Sequence, residues 1–535
     1  MIKEGNSSPE IGKSSRIAPY VTNLDRPIFA LKGLPEEVVA VLFAYYSRSP
    51  GSLRENLARL LEDAHLEGME AAGGRVASGE VDPSCVPEGA RAKARAFHEK
   101  WVVGYGHASV AEHAVAHVAL EDVSILVSKI IEDSRLASYT EKSTRYVRFE
   151  TPRFFRPPLI MASREAMRYE KTAMRLFDAY RSLSVPLADR IREAYPPEPG
   201  RRMSAYRAAC KAKACDILRY VLPASTLTNI GLTANARTLA HLIMRLVSDD
   251  LQESRGIGEA IKREAGRILP TLVKYAEPNA YRMESAAALD AFAGERMQEI
   301  EPVPADALTL VRWDPDAEDD LVAALLYPYA RLPLAQLRGE VRRMDAAAKA
   351  RVFDEALRRR GRHDNPLRAF ENTYYTFDML VDFGAYRDIQ RHRMGTQEAQ
   401  ALGVDHGYEL PEEIEAFGLS APFEEAMEEA ADTYYRLKGI CPSEAAYIVP
   451  LAFRRRLMVT WNLREVIHFI ELRSAPQGHR SYRRVAQDVY RAIARVHPFI
   501  GKYIRVTLDD VGLERLAAEE KLRARREALG GTPDD

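Results

Sequence analysis

Cysteine is scarce in this chain, with four in 535 residues (Cys85, Cys210, Cys215, Cys441) and no CxxC pair. A disulfide framework or thiolate metal site is therefore excluded as an organising feature. An excess of charge of either sign is also missing. The 76 basic side chains face 77 acidic ones, for a net charge of −1. No global field draws the protein to nucleic acid or an anionic membrane, and aromatic-rich basic repeats of the RNA-binding kind are absent. No uninterrupted apolar run approaches a membrane span. The first residues, MIKEGNSSPEIGKSSR, lack the apolar core of a signal peptide. The expectation is a cytoplasmic protein with neither nucleic-acid nor membrane partners, whose anion sites are local arginine clusters.

What the chain has is internal likeness. Ala44 to Pro50 (AYYSRSP) resembles Tyr327 to Pro333 (YPYARLP), and Gly106 to Ser109 (GHAS) resembles Arg362 to Asn365 (RHDN). Ser134 to Ser138 (SRLAS) resembles His392 to Thr396 (HRMGT). VLP at 221–223 with Asn235-Ala-Arg237 resembles IVP at 448–450 with Asn462-Leu-Arg464. Four weak matches in one order indicate duplication of a domain, not a solenoid. The first copy is expected over 25–290 and the second over 318–515. The seam falls within 290–320, where Pro and Asp breakers gather, and a longer insertion lies in the first copy between its third and fourth segments. Helical periodicity marks 53–66, 164–194, 205–221, 235–254, 341–360, 422–438 and 482–497. Val115–Leu120 and Tyr374–Leu380 read as strands. The expected fold is α+β: two copies of a helix-rich unit with a small antiparallel sheet, packed as a pseudo-dimer.

Several clusters carry chemistry. Arg391-His392-Arg393 concentrates directional donors, and arginine grips phosphate in a fork that lysine cannot reproduce; in isolation such a triplet is more often a solvated patch. Arg237 and His241 share a helical face at i,i+4, and Arg464 and His468 repeat that spacing. Arg473 is expected at the end of its helix, just before Pro476. Ser109 and Glu112 fit a capping box, which predicts a helix starting there. His113 and His117 could be metal ligands at i,i+4, but their order is not that of the metalloprotease motif, and a structural His117 is favoured.

These segments resemble the flavin-dependent thymidylate synthases. That family is marked by RHR, then Ser three residues on, then Ser-x-Arg five further on. The second half has RHR and Thr396, but Ala401 and Gly403 follow. The first half has Asp133-Ser134-Arg135 in place of RHR, yet keeps Ser138, Ser143 and Arg145, with Glu141 beside them. The resemblance implies a nucleotide set in two half-sets: Arg391 and Arg473 from the second half, and Glu141, Ser143, Arg145 and Arg219 from the first. The counterparts Leu246 and Ala446 have lost their arginines. Each half thus keeps what the other lost, which a fused pseudo-dimer tolerates because one composite pocket survives while its mate decays.

The resemblance further implies FAD as cofactor, with NADPH and methylenetetrahydrofolate as co-substrates and dUMP methylated to dTMP. The implied flavin set is His107, Ser109, Asn235, Arg237, His392, Arg393, Asn462, Arg464 and His468. The implied catalytic groups are Arg391, Arg145, Arg473 and Ser143, although Ser143 has no visible base to make it a nucleophile. No metal is expected. The unfused family forms tetramers, so the expected assembly is a homodimer, a pseudo-tetramer of units. Two other readings remain: a flavoenzyme acting on another uridine-type substrate, and a non-catalytic binding or scaffold paralogue.

Overall fold

A computed structural model describes residues 16–47, 49–65, 92, 94–96, 99, 108–297, 299–509 and 512–528. Its elements give the α+β class, with two small antiparallel sheets among many helices. Those that position the site are β1 (Val115–Ser124), α1 (Ile125–Ile131), β2 (Ala137–Glu141), α2 (Ala166–Ala194), α3 (Met203–Leu218), β3 (Leu227–Asn235), α4 (Ala236–Val247) and α5 (Gln252–Ala265). The second half carries β4 (Leu308–Trp313), β5 (Tyr374–Asp382), α6 (Phe383–Ile389), β6 (Gly395–Ala399), α7 (Ser420–Lys438), β7 (Arg454–Asn462), α8 (Leu463–Arg473) and α9 (Arg480–Val496).

The sheets have the orders β1-β3-β2 and β4-β5-β7-β6. In the larger one, β5 pairs with β7 from Tyr374↔Asn462 to Asp382↔Arg454. Tyr375, Phe377 and Met379 alternate with more exposed residues on β5, as Leu457, Val459 and Trp461 do on β7, and all six are fully buried. This period of two gives the sheet one apolar face. Each such side chain contributes about 1.5–3 kcal/mol by leaving water.

Local chemistry recurs between the halves. Helix α1 is capped by Ser124, whose Oγ accepts from Val127 N at 3.0 Å; α6 is capped by Asp382, whose Oδ1 accepts from Ala385 N at 2.7 Å. Asn235 Oδ1 caps α4 through Thr238 N at 2.8 Å, and Asn462 Oδ1 caps α8 through Glu465 N at 2.9 Å. Short polar side chains serve here because the first helical N–H groups have no intrahelical acceptor. Leu126 N donates to Ala224 O, and Gly384 N donates likewise to Leu451 O. The first half has the longer excursion between β2 and β3. Its α2 spans 29 residues against 19 for α7, and the 16 residues of α3 follow.

Several expectations change in detail. The 235–254 helix divides into α4 and α5 around Ser248–Asp250, and the 341–360 helix divides at Asp345, which caps the helix Ala346–Leu357. Ser109 and Glu112 do not start an α-helix. They sit in a 3-10 turn, Ala108–His113, that yields to β1. The alternating, β-branched run after Ala114 wins over the local capping signal. The seam is not all linker, because LTLVRW, a breaker-free run, forms β4 on the edge of β5. His117 Nδ1 lies 2.8 Å from Thr233 Oγ1, and the His113 ring packs on Phe43.

The chain divides into two compact units. One comprises Met1–Glu121, Leu136–Glu141 and Asn229–Gln298; the other comprises Asp122–Arg135, Lys142–Thr228 and Glu299–Asp535. These units do not follow the two sequence halves. The second unit contains the RHR segment and also much of the first half. Among the described residues no helix is long and apolar enough to cross a membrane.

Candidate functional site

Within the second compact unit, arginines from both sequence halves converge. Arg219 caps the C-terminus of α3 and is 2% exposed. Its Nη2 donates to Gly384 O at 3.3 Å, and its Nη1 lies 3.7 Å from Asp388 Oδ2. Its Nε is buried with no partner. A Cβ on residue 384 would stand 3.6 Å from the guanidinium and 3.0 Å from Asp382 Oδ1, so glycine is what allows Arg219 to lie against the start of α6.

Arg145 follows β2 and forms a fork on Asp216, with Nε to Oδ1 at 2.5 Å and Nη2 to Oδ2 at 2.7 Å. Its Nη1 donates to Tyr482 Oη at 2.9 Å. Burial opposes charge on Asp216, but the Arg145 fork outweighs it and holds the carboxyl below its ordinary range.

Arg473 is the last residue of α8, where a cation faces the helix dipole. Its Nε donates to His392 Nε2 at 2.9 Å and its Nη2 to Asp388 O at 2.9 Å. Its Nη1 lies 3.5 Å from Asp388 Oδ1, and its guanidinium stands 5.2 Å over the Tyr482 ring. Guanidinium nitrogens do not accept, so His392 Nε2 must be the lone-pair nitrogen. The Nδ1–H then donates to Glu465 Oε1 at 2.9 Å. Burial, then the Arg473 charge, pushes His392 well below its ordinary range, which keeps the ring neutral.

Asp388, in the last turn of α6, holds this arrangement together. Burial disfavours its charge, yet Arg219, Arg473, Arg145 and Arg391 together hold the carboxyl far below its ordinary range. Arg391 is itself exposed. His479 lies beside the cluster. Its Nδ1 accepts from Ser481 N at 3.2 Å and its Nε2 faces Asp216 O at 3.2 Å. Burial and the Arg219 charge lower it to about 3. The four arginines and two carboxylates leave an excess of two positive charges, which suits a phosphate monoester dianion. The adjacent cavity, lined by Asp216, Tyr220, His479 and Ser481, measures ≈ 40 Å³, more than the roughly 10–15 Å³ that one water requires. The arginines themselves face carboxylates, Arg145 on Asp216 and both Arg219 and Arg473 on Asp388.

The other expected residues are dispersed. Ser143 Oγ accepts from Arg145 N at 3.2 Å and shapes the turn that carries Arg145. Glu141 ends β2 in the first compact unit. In that same unit Ser109 is exposed and Arg237 pairs with Glu112 at 2.5 Å. His107 lies outside the described residues. In the second unit, Arg393 Nη1 donates to Ser134 O at 2.9 Å, while Arg464 bonds Pro366 O and Glu371. His468 is exposed on α8. Asn235 and Asn462 spend their side-chain oxygens as helix caps. Ser109 and Arg237 in the first unit, and separately Arg464 and His468 in the second, present polar groups at least partly to solvent; buried His392 faces Arg473 and Glu465.

Sequence reasoning missed Asp388, Asp216, Tyr482, His479 and Glu465. Asp388 and Asp216 each stand three residues before an arginine of the set, and that spacing was the available signal.

A family described as thymidylate synthase complementing protein matches residues 50–271 and 309–499. A "UPF0159 protein" of Chlamydia muridarum is 36% identical over 539 residues, which cover 98% of this chain and 99% of the relative. A flavin-dependent thymidylate synthase of Geobacter sulfurreducens is 28% identical, over 36% of this chain and 84% of its own. The solved flavin-dependent thymidylate synthase of Helicobacter pylori, complexed with FAD and dUMP, is 14% identical. It aligns with 38% of this chain and 100% of its own, at a TM-score of 0.29.

Proposed function

The chain belongs to the thymidylate synthase complementing protein family, and we propose that it is a flavin-dependent thymidylate synthase built from two fused, diverged copies of the family's unit. The observation that carries the proposal is the meeting of Arg145 and Arg219, from the first half, with Arg473 and Arg391, from the second, around Asp388. Neither half supplies all four.

In this reading dUMP is the substrate. The fork-shaped guanidiniums bind its phosphate, and at least one polarises the uracil ring as charge develops there. His392, held by Glu465, fixes the orientation of Arg473. Tyr482 holds Arg145 through its hydroxyl and packs its ring beneath Arg473. Bound FAD would supply the redox chemistry, taking reducing equivalents from NADPH to complete the methyl group derived from methylenetetrahydrofolate. Within the second unit, Arg393, Arg464 and His468 are the residues assigned to hold it. Ser143 shapes the Arg145 turn and is no nucleophile. The assembly is a cytoplasmic homodimer, with twice the 60.2 kDa chain mass in solution.

The test begins with colour. Purified protein should show a flavin absorbance band, and its reduced flavin should reoxidise faster with dUMP and methylenetetrahydrofolate. Arg145→Ala and Arg391→Ala should each abolish dUMP binding; loss in only one of them ends the shared-pocket assignment. The scaffold reading draws on the pairing of the arginines with Asp216 and Asp388. Colourless protein that takes up no flavin would favour it, whereas flavin uptake without a dUMP response would favour a different uridine-type substrate.

A further inference from the structure

Asp388 touches two guanidiniums from opposite halves, yet hydrogen-bonds neither closely. Its Oδ1 is 3.5 Å from Arg473 Nη1 and its Oδ2 is 3.7 Å from Arg219 Nη1. A carboxylate serving only as a structural partner would close to fork distance, as Asp216 does on Arg145 at 2.5 and 2.7 Å. Arg219 meanwhile is 2% exposed with an unpartnered Nε. A buried guanidinium with an unused donor is costly unless an anion completes it.

We propose that Asp388 is a built-in counter-ion that stands in for the anionic ligand, keeping the four-arginine cluster folded when empty and setting how tightly it takes a phosphate-bearing molecule. This rests on the nucleotide reading above and adds its regulation. Without ligand, the cluster needs negative charge to hold together the largely buried like charges of Arg145, Arg219 and Arg473. With ligand, Asp388 repels the incoming phosphate and competes for Arg219 and Arg473. The residue therefore trades affinity for stability of the empty state. Ligand binding also drives a local rearrangement, because the guanidiniums must turn from Asp388 to the phosphate.

The experiment uses the full chain and two probes, inorganic phosphate and dUMP, with Asp388→Asn and Asp388→Glu. Asparagine removes the charge at nearly constant shape. Its melting temperature without phosphate should lie below that of the natural protein, and should recover with added phosphate by more than the natural protein gains. Its dUMP dissociation constant should fall at least tenfold. Asp388→Glu keeps the charge and should show neither gain, which separates charge from damage to packing. Unchanged or weaker dUMP binding by Asp388→Asn, while the natural protein binds dUMP, overturns the counter-ion role and leaves the nucleotide reading standing. Phosphate-dependent stabilisation and tighter phosphate binding in Asp388→Asn, with no dUMP binding by either protein, keeps the counter-ion role and removes the nucleotide reading. If Asp388→Asn folds only in phosphate, that dependence itself supports the proposal.

Discussion

Pro223 and Pro450 face each other across an antiparallel bridge. Leu451 N donates to Leu222 O and Ala224 N to Val449 O, both at 2.9 Å, so the two segments exchange equivalent bonds about the proline pair. Leu451 O in turn accepts from Gly384 N, and Gly384 O accepts from Arg219 Nη2. The chain closes on itself, because Arg219 stands four residues before Pro223. The bridge therefore sets where Arg219 lies on α6, the helix that carries Asp388. The half-sets meet here because backbone pairing brings them together, before any ligand is present.

Arg219→Lys is the sharpest test of that geometry. Lysine keeps the charge but places one ammonium where a planar fork lay. Losing a charge-assisted hydrogen bond weakens an interaction by about 1.5–3 kcal/mol, so dUMP affinity should fall at least tenfold. Titration of the variant with dUMP checks this. Near-natural affinity would mean that Arg219 serves only to neutralise Asp388.

The orientation of Arg473 depends on a carboxylate it does not touch. Glu465 fixes the His392 tautomer, which leaves Nε2 free to accept from Arg473. In Glu465→Ala the imidazole can flip its proton, and Arg473 loses its acceptor in part of the population. We expect dUMP affinity to fall about tenfold, which is about 1.4 kcal/mol, with the flavin absorbance band retained. His392→Ala should give a similar loss, and the double variant should be no worse than either single one.

The contribution of the two buried site histidines to the pH dependence of stability has a definite sign. His392 and His479 are held below their ordinary range by burial and neighbouring arginines, His479 at about 3. The unfolded chain therefore takes up protons that the native state refuses, and stability falls as pH drops below about 6.5. Asp382 acts oppositely: burial raises it to about 6, so it favours the folded state at lower pH and loses that contribution as pH rises toward 6. Between them, the two histidines outnumber Asp382, so these three groups together favour unfolding as pH falls from 6 toward 4. The urea midpoint should be lower at pH 5 than at pH 7, and His479→Asn should shrink that difference.

The sequence showed helices and strands where periodicity was strong, including β1, β5 and the ends of α2, α7 and α9. It missed what depends on tertiary pairing. Strand β4 is visible only once β5 offers an edge, and the Ser109 capping box yields to the strand beyond it. The arginines of the site were legible because each stands at a fixed spacing from a segment that recurs in both halves, although only one half keeps each arginine. Their carboxylate partners carried only a faint signal, since Asp216 and Asp388 are marked by nothing but standing three residues before Arg219 and Arg391. Asp216 lies in the long excursion with no counterpart in the second half, and Tyr482 and His479 reach the cluster from α9 and the loop before it, on no recurring motif.

Asn235 and Asn462 separate two roles that one residue can hold. Each side-chain oxygen accepts from the third backbone N–H of its helix, at 2.8 and 2.9 Å. An N-cap asparagine replaced by alanine costs about 1 kcal/mol, so Asn235→Ala and Asn462→Ala should each lower flavin-free stability by that amount in urea unfolding. Asp in either position keeps the cap oxygen and should restore it. Aspartate also adds a negative charge and removes the amide donor. If the asparagines contact flavin through that amide, the Asp variants will be stable yet bind flavin more weakly. If capping is their whole contribution, the Asp variants will match the natural protein in both stability and flavin affinity.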